Sequence, residues 1–249
     1  MKQALALALM GLGLSLACRP TRMPVPTPTL NPRLAQAREA LQRGDALAAL
    51  AQLEPFVREH PEALDARVWL GDAYVMAGRM GEAEQVYREV LRQAPEHGPA
   101  RLGLGIVLYR SGRLSEAVAE AQAILARHPQ EPRAHYLLGA ALLQQNRVPE
   151  ARQAFDQALR LRSDFPEAYV GRGAARLLDG DFPGAEADLR RALALRPGMP
   201  EALYWLGRLL AQQGREEEAR ERLRQFLETN PPAPFAQDAE ALLQALGGD

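Results

Sequence analysis

The chain has 249 residues, of which 47% are hydrophobic and only 6% aromatic, and its formal net charge is −1. Alanine and leucine supply most of the apolar share and favour helices, whereas the β-branched and aromatic residues that fill strands are scarce. The composition therefore indicates an all-α fold. The near-neutral charge excludes a global electrostatic attraction to nucleic acid or to an anionic membrane.

The first 17 residues have the three parts of a secretory signal. Lys2 supplies the positive end, an apolar run extends from Ala4 to Leu16, and Ser15 and Ala17 provide the small residues of a cleavage site. The apolar run is shorter than the ~20 residues that a membrane-crossing helix needs. We therefore predict that residues 1–17 are a cleaved signal peptide.

Cys18, the single cysteine of the chain, follows this signal directly. The apolar run and the cysteine together resemble the signal of a bacterial lipoprotein, in which the cysteine becomes acylated. The resemblance implies a lipid anchor at Cys18 that holds the protein on a membrane surface. With Arg19 rather than Asp in the next position, the signal resembles that of lipoproteins sent to the outer membrane in bacteria with two membranes, where the protein would face the periplasm. The alternative is ordinary cleavage after Ala17, which leaves a free thiol.

Residues 18–32 are predicted to form a linker, because prolines occupy positions 20, 24, 26, 28 and 32. Proline fixes φ and removes a backbone donor, which favours an extended spacer over helix or sheet. At about 3.1 Å per residue such a spacer reaches roughly 40 Å. It would hold a folded domain away from the membrane surface.

From residue 30 onward the sequence repeats every 34 residues without insertion or deletion. A Leu-Gly pair, a turn glycine, an alanine and a proline recur in this order. The alanines are Ala49, Ala83, Ala117, Ala151, Ala185 and Ala219, and the turn residues are Gly44, Gly78, Gly112, Asn146, Gly180 and Gly214. The pattern resembles the tetratricopeptide repeat, a helix-turn-helix unit of 34 residues.

This resemblance implies an all-α fold, a right-handed superhelical solenoid of six tetratricopeptide repeats with a C-terminal capping helix. The predicted repeats span 30–63, 64–97, 98–131, 132–165, 166–199 and 200–233. The last hairpin of a solenoid exposes an apolar face and needs a cap. Residues 234–249 are predicted to supply it, because Phe235, Ala239, Leu242, Leu243 and Leu246 are spaced along one helix face.

The repeats offer few residues for covalent chemistry. Beyond residue 30 the chain has no cysteine, and its hydroxyl groups lack a histidine and an acid at a supporting spacing. No two histidines are spaced i, i+4, which argues against a metal site. We therefore predict no enzymatic activity, no cofactor and no metal. Arg172 and Arg176 replace core leucines of an earlier repeat, and we expect them to reach Asp179, Asp181 or Asp188 rather than to form a buried basic site.

In tetratricopeptide proteins the first helices of the repeats line a concave groove and carry the ligand contacts. The resemblance implies a groove for a protein or peptide partner that contains Trp69, Asp72, Met76, Ile106, Tyr109, Arg110, Tyr136, Gln144, Tyr204, Trp205 and Arg208. Trp69 and Trp205 share a repeat position that alternates with Gly and Ala in other repeats. We therefore expect that packing does not demand bulk there and that the tryptophans anchor a partner. The alternative is that these aromatic residues pack between helices.

Some members of the family grip chaperone carboxylates with a clamp of Lys and Asn, which is absent here, so an apolar peptide or helix is the expected ligand. We predict an exported, lipid-anchored scaffold that acts in cell-envelope assembly and does not bind nucleic acid. Six repeats behind a lipoprotein-like signal also resemble the pilotins of type IV pili, which escort secretin subunits. The contrasting hypothesis is an enzyme or enzyme regulator of cell-wall metabolism, for which the sequence offers no catalytic residues.

Overall fold

The structure is a computed structural model that describes residues 31–247. The predicted signal peptide, Cys18 and almost all of the predicted linker therefore lie outside the described residues. The described part folds into 13 α-helices and contains no strand, which confirms the predicted all-α fold class. No described helix is both long enough and apolar enough to cross a bilayer.

Residues 31–127 are the described part of the first of two compact units. Its described residues form three hairpins: α1 (Pro32–Arg43) with α2 (Ala46–Glu59), α3 (Leu64–Met76) with α4 (Met80–Gln93), and α5 (Gly98–Arg110) with α6 (Leu114–Leu125). Successive hairpins pack through α2 on α3 and through α4 on α5, and the first helices α3 and α5 also touch. The hairpins thus share one core, as expected for units that cannot bury an apolar face alone.

Residues 128–247 are the described part of the second unit. It contains α7 (Pro132–Gln144) with α8 (Val148–Leu161), α9 (Pro166–Asp179) with α10 (Phe182–Leu195), α11 (Pro200–Gln212) with α12 (Glu216–Glu228), and the single helix α13 (Ala233–Ala245). Helix α13 packs against α11 and α12. Its Phe235 and Ala239 are buried while its leucines are half-buried, so the predicted C-terminal cap is present.

Each hairpin turns at one residue with a left-handed backbone. The turn residues are Gly44, Gly78, Gly112, Gly180 and Gly214, with φ between 73° and 80°, and Asn146 with φ of 60°. Glycine, and next to it asparagine, takes this conformation at least cost, and it allows the carbonyls at the helix end to be satisfied. In the first hairpin, for example, the Asp45 N–H donates to the Ala40 carbonyl. The residues named as turn residues from the 34-residue period therefore are the turns of the six hairpins.

The recurring alanine has zero exposure in all six hairpins. Interiors are close-packed, so a longer side chain at this position would force the two helices of a hairpin apart. The turn residue and the alanine together explain why six copies of one pattern give six hairpins of the same kind.

Candidate partner-binding surface

The eleven predicted partner-binding residues all lie on first helices, but they differ in accessibility. Trp69, Asp72, Met76, Gln144 and Arg208 are partly accessible and Arg110 is exposed, whereas Ile106, Tyr109, Tyr136, Tyr204 and Trp205 are at most 3% exposed. In the first unit the adjacent helices α3 and α5 bring their residues together. In the second unit the residues fall on α7 and α11, and α9 lies between these helices and contacts both.

The accessible residues of α3 and α5 combine different chemistries on one surface. Trp69 and Met76 each pack one side against the buried cluster of the first hairpin, which includes Leu53. The Tyr87 hydroxyl donates to the Asp72 Oδ1 at 2.6 Å and so fixes the orientation of that carboxylate. Arg110 on α5 adds an exposed guanidinium. This surface offers an indole, a thioether, an acid and a cation.

The repeat position shared by Trp69 and Trp205 is a packing position. Gly103 and Gly171 occupy it in two other repeats, and a Cβ on either glycine would lie under 3.0 Å from the ring of Tyr87 or Phe155. Side-chain size is therefore matched between this position and the second helix of the preceding hairpin. Our premise that packing does not demand bulk here is wrong for these two repeats, because Gly103 and Gly171 each lie against a ring that takes the space.

Tyr204, Trp205 and Arg208 connect α11 to the C-terminal cap. The Tyr204 hydroxyl donates to Asp238 Oδ2 at 2.9 Å, and Arg208 Nη1 donates to the same carboxylate at 2.9 Å and to the Tyr204 oxygen at 2.7 Å. Burial raises the pKa of Tyr204 to about 12, although the charge of Arg208 acts in the opposite direction. Trp205 packs edge-on against Tyr204. These contacts are those of the packing alternative, and a role in partner binding stays a prediction.

Arg172 and Arg176 reach acidic partners, as expected. Arg172 forms two hydrogen bonds with Asp188, at 2.7 and 2.8 Å, and Arg176 forms one at 2.9 Å. Arg172 also donates to Asp156 at 2.7 Å, a partner on α8 that the sequence did not indicate because it lies in the preceding repeat. Burial alone would lower the pKa of Arg172, but the bonds to Asp188 and Asp156 outweigh it and raise the pKa.

In the third hairpin the repeat positions of Arg172 and Arg176 hold Leu104 and Leu108. There a cavity of about 550 Å³ opens beside α4, α5 and α6, and its lining includes Leu91, Leu104 and Leu108. Arg101 and Glu120, also in its lining, form an ion pair at 2.7 Å. Among residues 31–247 no cluster of three or more His, Cys, Asp or Glu side chains is suited to hold a metal ion.

Two family models described as "Tetratricopeptide repeat" match the chain, one over residues 34–98 and 102–166 and the other over 176–246. Together these segments make up well over half of the chain. The protein therefore belongs to the tetratricopeptide repeat family, which confirms the resemblance inferred from the 34-residue period. Members of this family are generally scaffolds that bind other proteins.

Solved structures show the same fold. A thermophilic tetratricopeptide protein of Thermus thermophilus has a TM-score of 0.65 at 23% identity, over 73% of this chain and 100% of its own. PilF of Pseudomonas aeruginosa has a TM-score of 0.62 at 21% identity, over 75% and 90%. PilW, described as a widely conserved type IV pilus biogenesis factor, has a TM-score of 0.70 at 19% identity, over 85% and 96%. No curated protein matches the chain in sequence.

Proposed function

We propose that this protein is an exported, lipid-anchored adaptor that binds a protein or peptide partner during assembly of the cell envelope, and that it is not an enzyme. The observation that carries the proposal is the array of hairpins itself. Scaffolds of this family bind protein partners, and the first helices of this array carry accessible side chains of mixed chemistry. The signal-like segment 1–17 and Cys18 support the export and anchoring part.

The partner surface that we propose is formed by α3 and α5 in the first unit. Its Trp69 and Met76 are half-buried, so a ligand can cover their remaining apolar area without reordering long side chains. Asp72 and Arg110 provide polar contacts at the edge of that apolar area. An apolar centre with polar neighbours suits an amphipathic segment of a partner protein.

A second candidate function is that of a pilotin-like lipoprotein that assists secretin or type IV pilus assembly. The structural likeness to PilF and PilW, the latter described as a pilus biogenesis factor, favours this candidate within envelope assembly. The lipoprotein-like signal supports it independently. If it is right, deletion of the gene should reduce surface pili, and re-expression should restore them.

The adaptor proposal is tested by crosslinking in the native envelope and identification of the captured protein. The Met76→Ala/Arg110→Glu variant alters the proposed surface, and Leu47→Ala/Arg58→Glu makes the same chemical changes on the exposed side of α2. Both should fold, as checked by circular dichroism. We expect the first variant to lose the partner and the second to keep it. Equal capture by both would show that the surface lies elsewhere, and no captured protein at all would refute the adaptor function.

The anchoring part has its own test. Cys18→Ala should move the protein from the membrane fraction to the soluble fraction and prevent metabolic labelling with a fatty acid. A Cys18→Ala protein that stays with the membranes would refute the lipid anchor while leaving the adaptor function intact.

A further inference from the structure

Two successive repeats of the second unit place an arginine at the end of their second helix. Arg196 follows α10 and forms an ion pair with Glu167 on α9. Arg162 follows α8 one repeat earlier and occupies the equivalent position. The residue equivalent to Glu167 in that repeat is Arg133, the second residue of α7. Where one repeat has an ion pair, the other therefore has two cations.

The guanidinium group of Arg162 is held in place but has no acceptor among the residues that the structure describes. It stacks on the ring of Phe165, with its Cζ 3.5 Å from the ring centroid. Its Nε is buried and makes no hydrogen bond. Within residues 31–247, no hydrogen bond or ion pair occupies the guanidinium of Arg162 or that of Arg133, and both side chains remain partly accessible. The described structure thus presents one cation held against a ring, Arg162, and a second unpaired cation, Arg133, at the repeat position where Glu167 pairs with Arg196.

Three carboxylates lie near Arg162 but do not neutralise the pair by contact. Glu131 accepts a hydrogen bond from the backbone N–H of Arg133 at 3.1 Å, and Glu167 is engaged by Arg196. Asp164 is exposed. Burial is the largest influence on the pKa of Arg162 and lowers it; Glu167 and Asp164 oppose this effect, and Arg133 adds to it. Burial therefore destabilises the charged form of Arg162, and no described residue compensates by a direct hydrogen bond.

We propose that Arg133 and Arg162 bind a carboxylate of the partner protein. This inference rests on the proposed adaptor function and states the chemistry of one contact in it. A half-buried guanidinium gains most from a planar acceptor that takes two of its N–H groups, which a carboxylate does. The chain provides the precedent, because the carboxylate of Glu167 fills the equivalent place beside Arg196. Arg133 lies at the start of the first helix α7 and Arg162 directly follows the second helix α8, so the two arginines lie at opposite ends of one repeat.

The repeat equivalence supplies a decisive variant. Arg133→Glu puts a carboxylate where Glu167 stands in the next repeat, so it should pair with Arg162 and close the site from within. The variant should fold with an unchanged or higher melting temperature. Arg162→Gln removes the charge of the other arginine without adding a partner and serves as a second variant. Arg224→Glu makes the same charge change at an exposed arginine of α12 and is the matched control.

The binding test uses a fluorescein-labelled hexaglutamate peptide and its hexaglutamine counterpart, read by fluorescence anisotropy on the purified mature chain. The unaltered protein should prefer hexaglutamate. Arg133→Glu and Arg162→Gln should each weaken that binding about tenfold, as expected for loss of a charge-assisted hydrogen bond, while Arg224→Glu should change it less than about twofold.

Equal weakening by Arg224→Glu would show that bulk charge drives the binding and would overturn the proposal. Inorganic phosphate that raises the melting temperature of the unaltered protein but not of Arg133→Glu, without a preference for hexaglutamate, would assign the site to free oxyanions and also overturn it. If native crosslinking still captures the partner with Arg133→Glu at full yield, the carboxylate site is refuted and the adaptor function stands. Absence of any captured partner refutes the adaptor function instead.

Discussion

The second hairpin, α3–α4, and the fourth, α7–α8, solve the same packing problem with different chemistry. In each, an aromatic ring of the second helix is fully buried between two glycines, one on its own first helix and one on the first helix of the next repeat. Tyr87 lies between Gly71 and Gly103, and Phe155 lies between Gly139 and Gly171. In both places a Cβ on either glycine would lie under 3.0 Å from the ring.

The two hairpins differ in whether the buried ring carries a hydroxyl group. Tyr87 carries a hydroxyl that donates to Asp72, whereas the repeat position of Asp72 is held by Ala140 in the fourth hairpin, opposite a ring without a hydroxyl. The steric fit between ring and glycine is thus common to both, and the polar contact is an addition to one. Asp72 therefore has a structural partner even though it also lies on the proposed partner surface.

The largest effect is expected from removal of either ring. Tyr87→Ala and Phe155→Ala should each lower the free energy of unfolding by about 3 to 5 kcal/mol, because a fully buried aromatic side chain is replaced by a cavity. Urea denaturation followed by circular dichroism measures both. A loss below about 1 kcal/mol at either position would contradict the equivalence of the two hairpins.

Filling the glycine position should be the next most damaging change. Gly103→Ala brings a methyl group into the Tyr87 ring and should cost about 1 to 3 kcal/mol. Gly81→Ala on α4, where no atom lies within 4 Å of the added Cβ, is the control and should be neutral or stabilising. The double variant Gly103→Ala/Tyr87→Leu should recover part of the loss. Without recovery in a double-mutant cycle, the matching of sizes would be wrong.

The polar difference between the hairpins can be tested by converting one into the other. Tyr87→Phe removes the donor to Asp72 and should cost about 1 kcal/mol of unfolding free energy. Tyr87→Phe/Asp72→Ala reproduces the Phe155 and Ala140 pair and should cost less than the single change. If the double variant is the less stable of the two, Asp72 has a structural role beyond the tyrosine.

The smallest effect concerns the turns. Asn146→Gly should raise the free energy of unfolding by at most about 1 kcal/mol, since glycine takes the left-handed conformation with less strain. The reverse change, Gly78→Asn in the second hairpin, should lower it by a similar amount. Two changes of the same sign would contradict the equivalence of the turns.

Much of the fold was predictable because each repeated residue has a local task. A turn that needs a left-handed residue and a crossing that needs alanine can be recognised one residue at a time. The capping helix follows from the apolar face of a 13-residue helix. The accessibility of the candidate surface was not predictable in this way. Whether Trp69 or Trp205 is available depends on the residue that the preceding second helix presents to it.

By itself, the sequence determined the family, the number of hairpins, their turns and the cap, because all of these follow from a period and from residues with intrinsic conformational preferences. Only the tertiary structure decided which polar side chains have a hydrogen-bond or ion-pair partner within the protein. Asp72 accepts a hydrogen bond from Tyr87, and Glu167 pairs with Arg196. Within residues 31–247, Arg133 and Arg162 have no acceptor for their guanidinium groups. The physical reason is that the partner of a side chain in a repeat array comes from a neighbouring helix, and burial makes the match or mismatch between them costly.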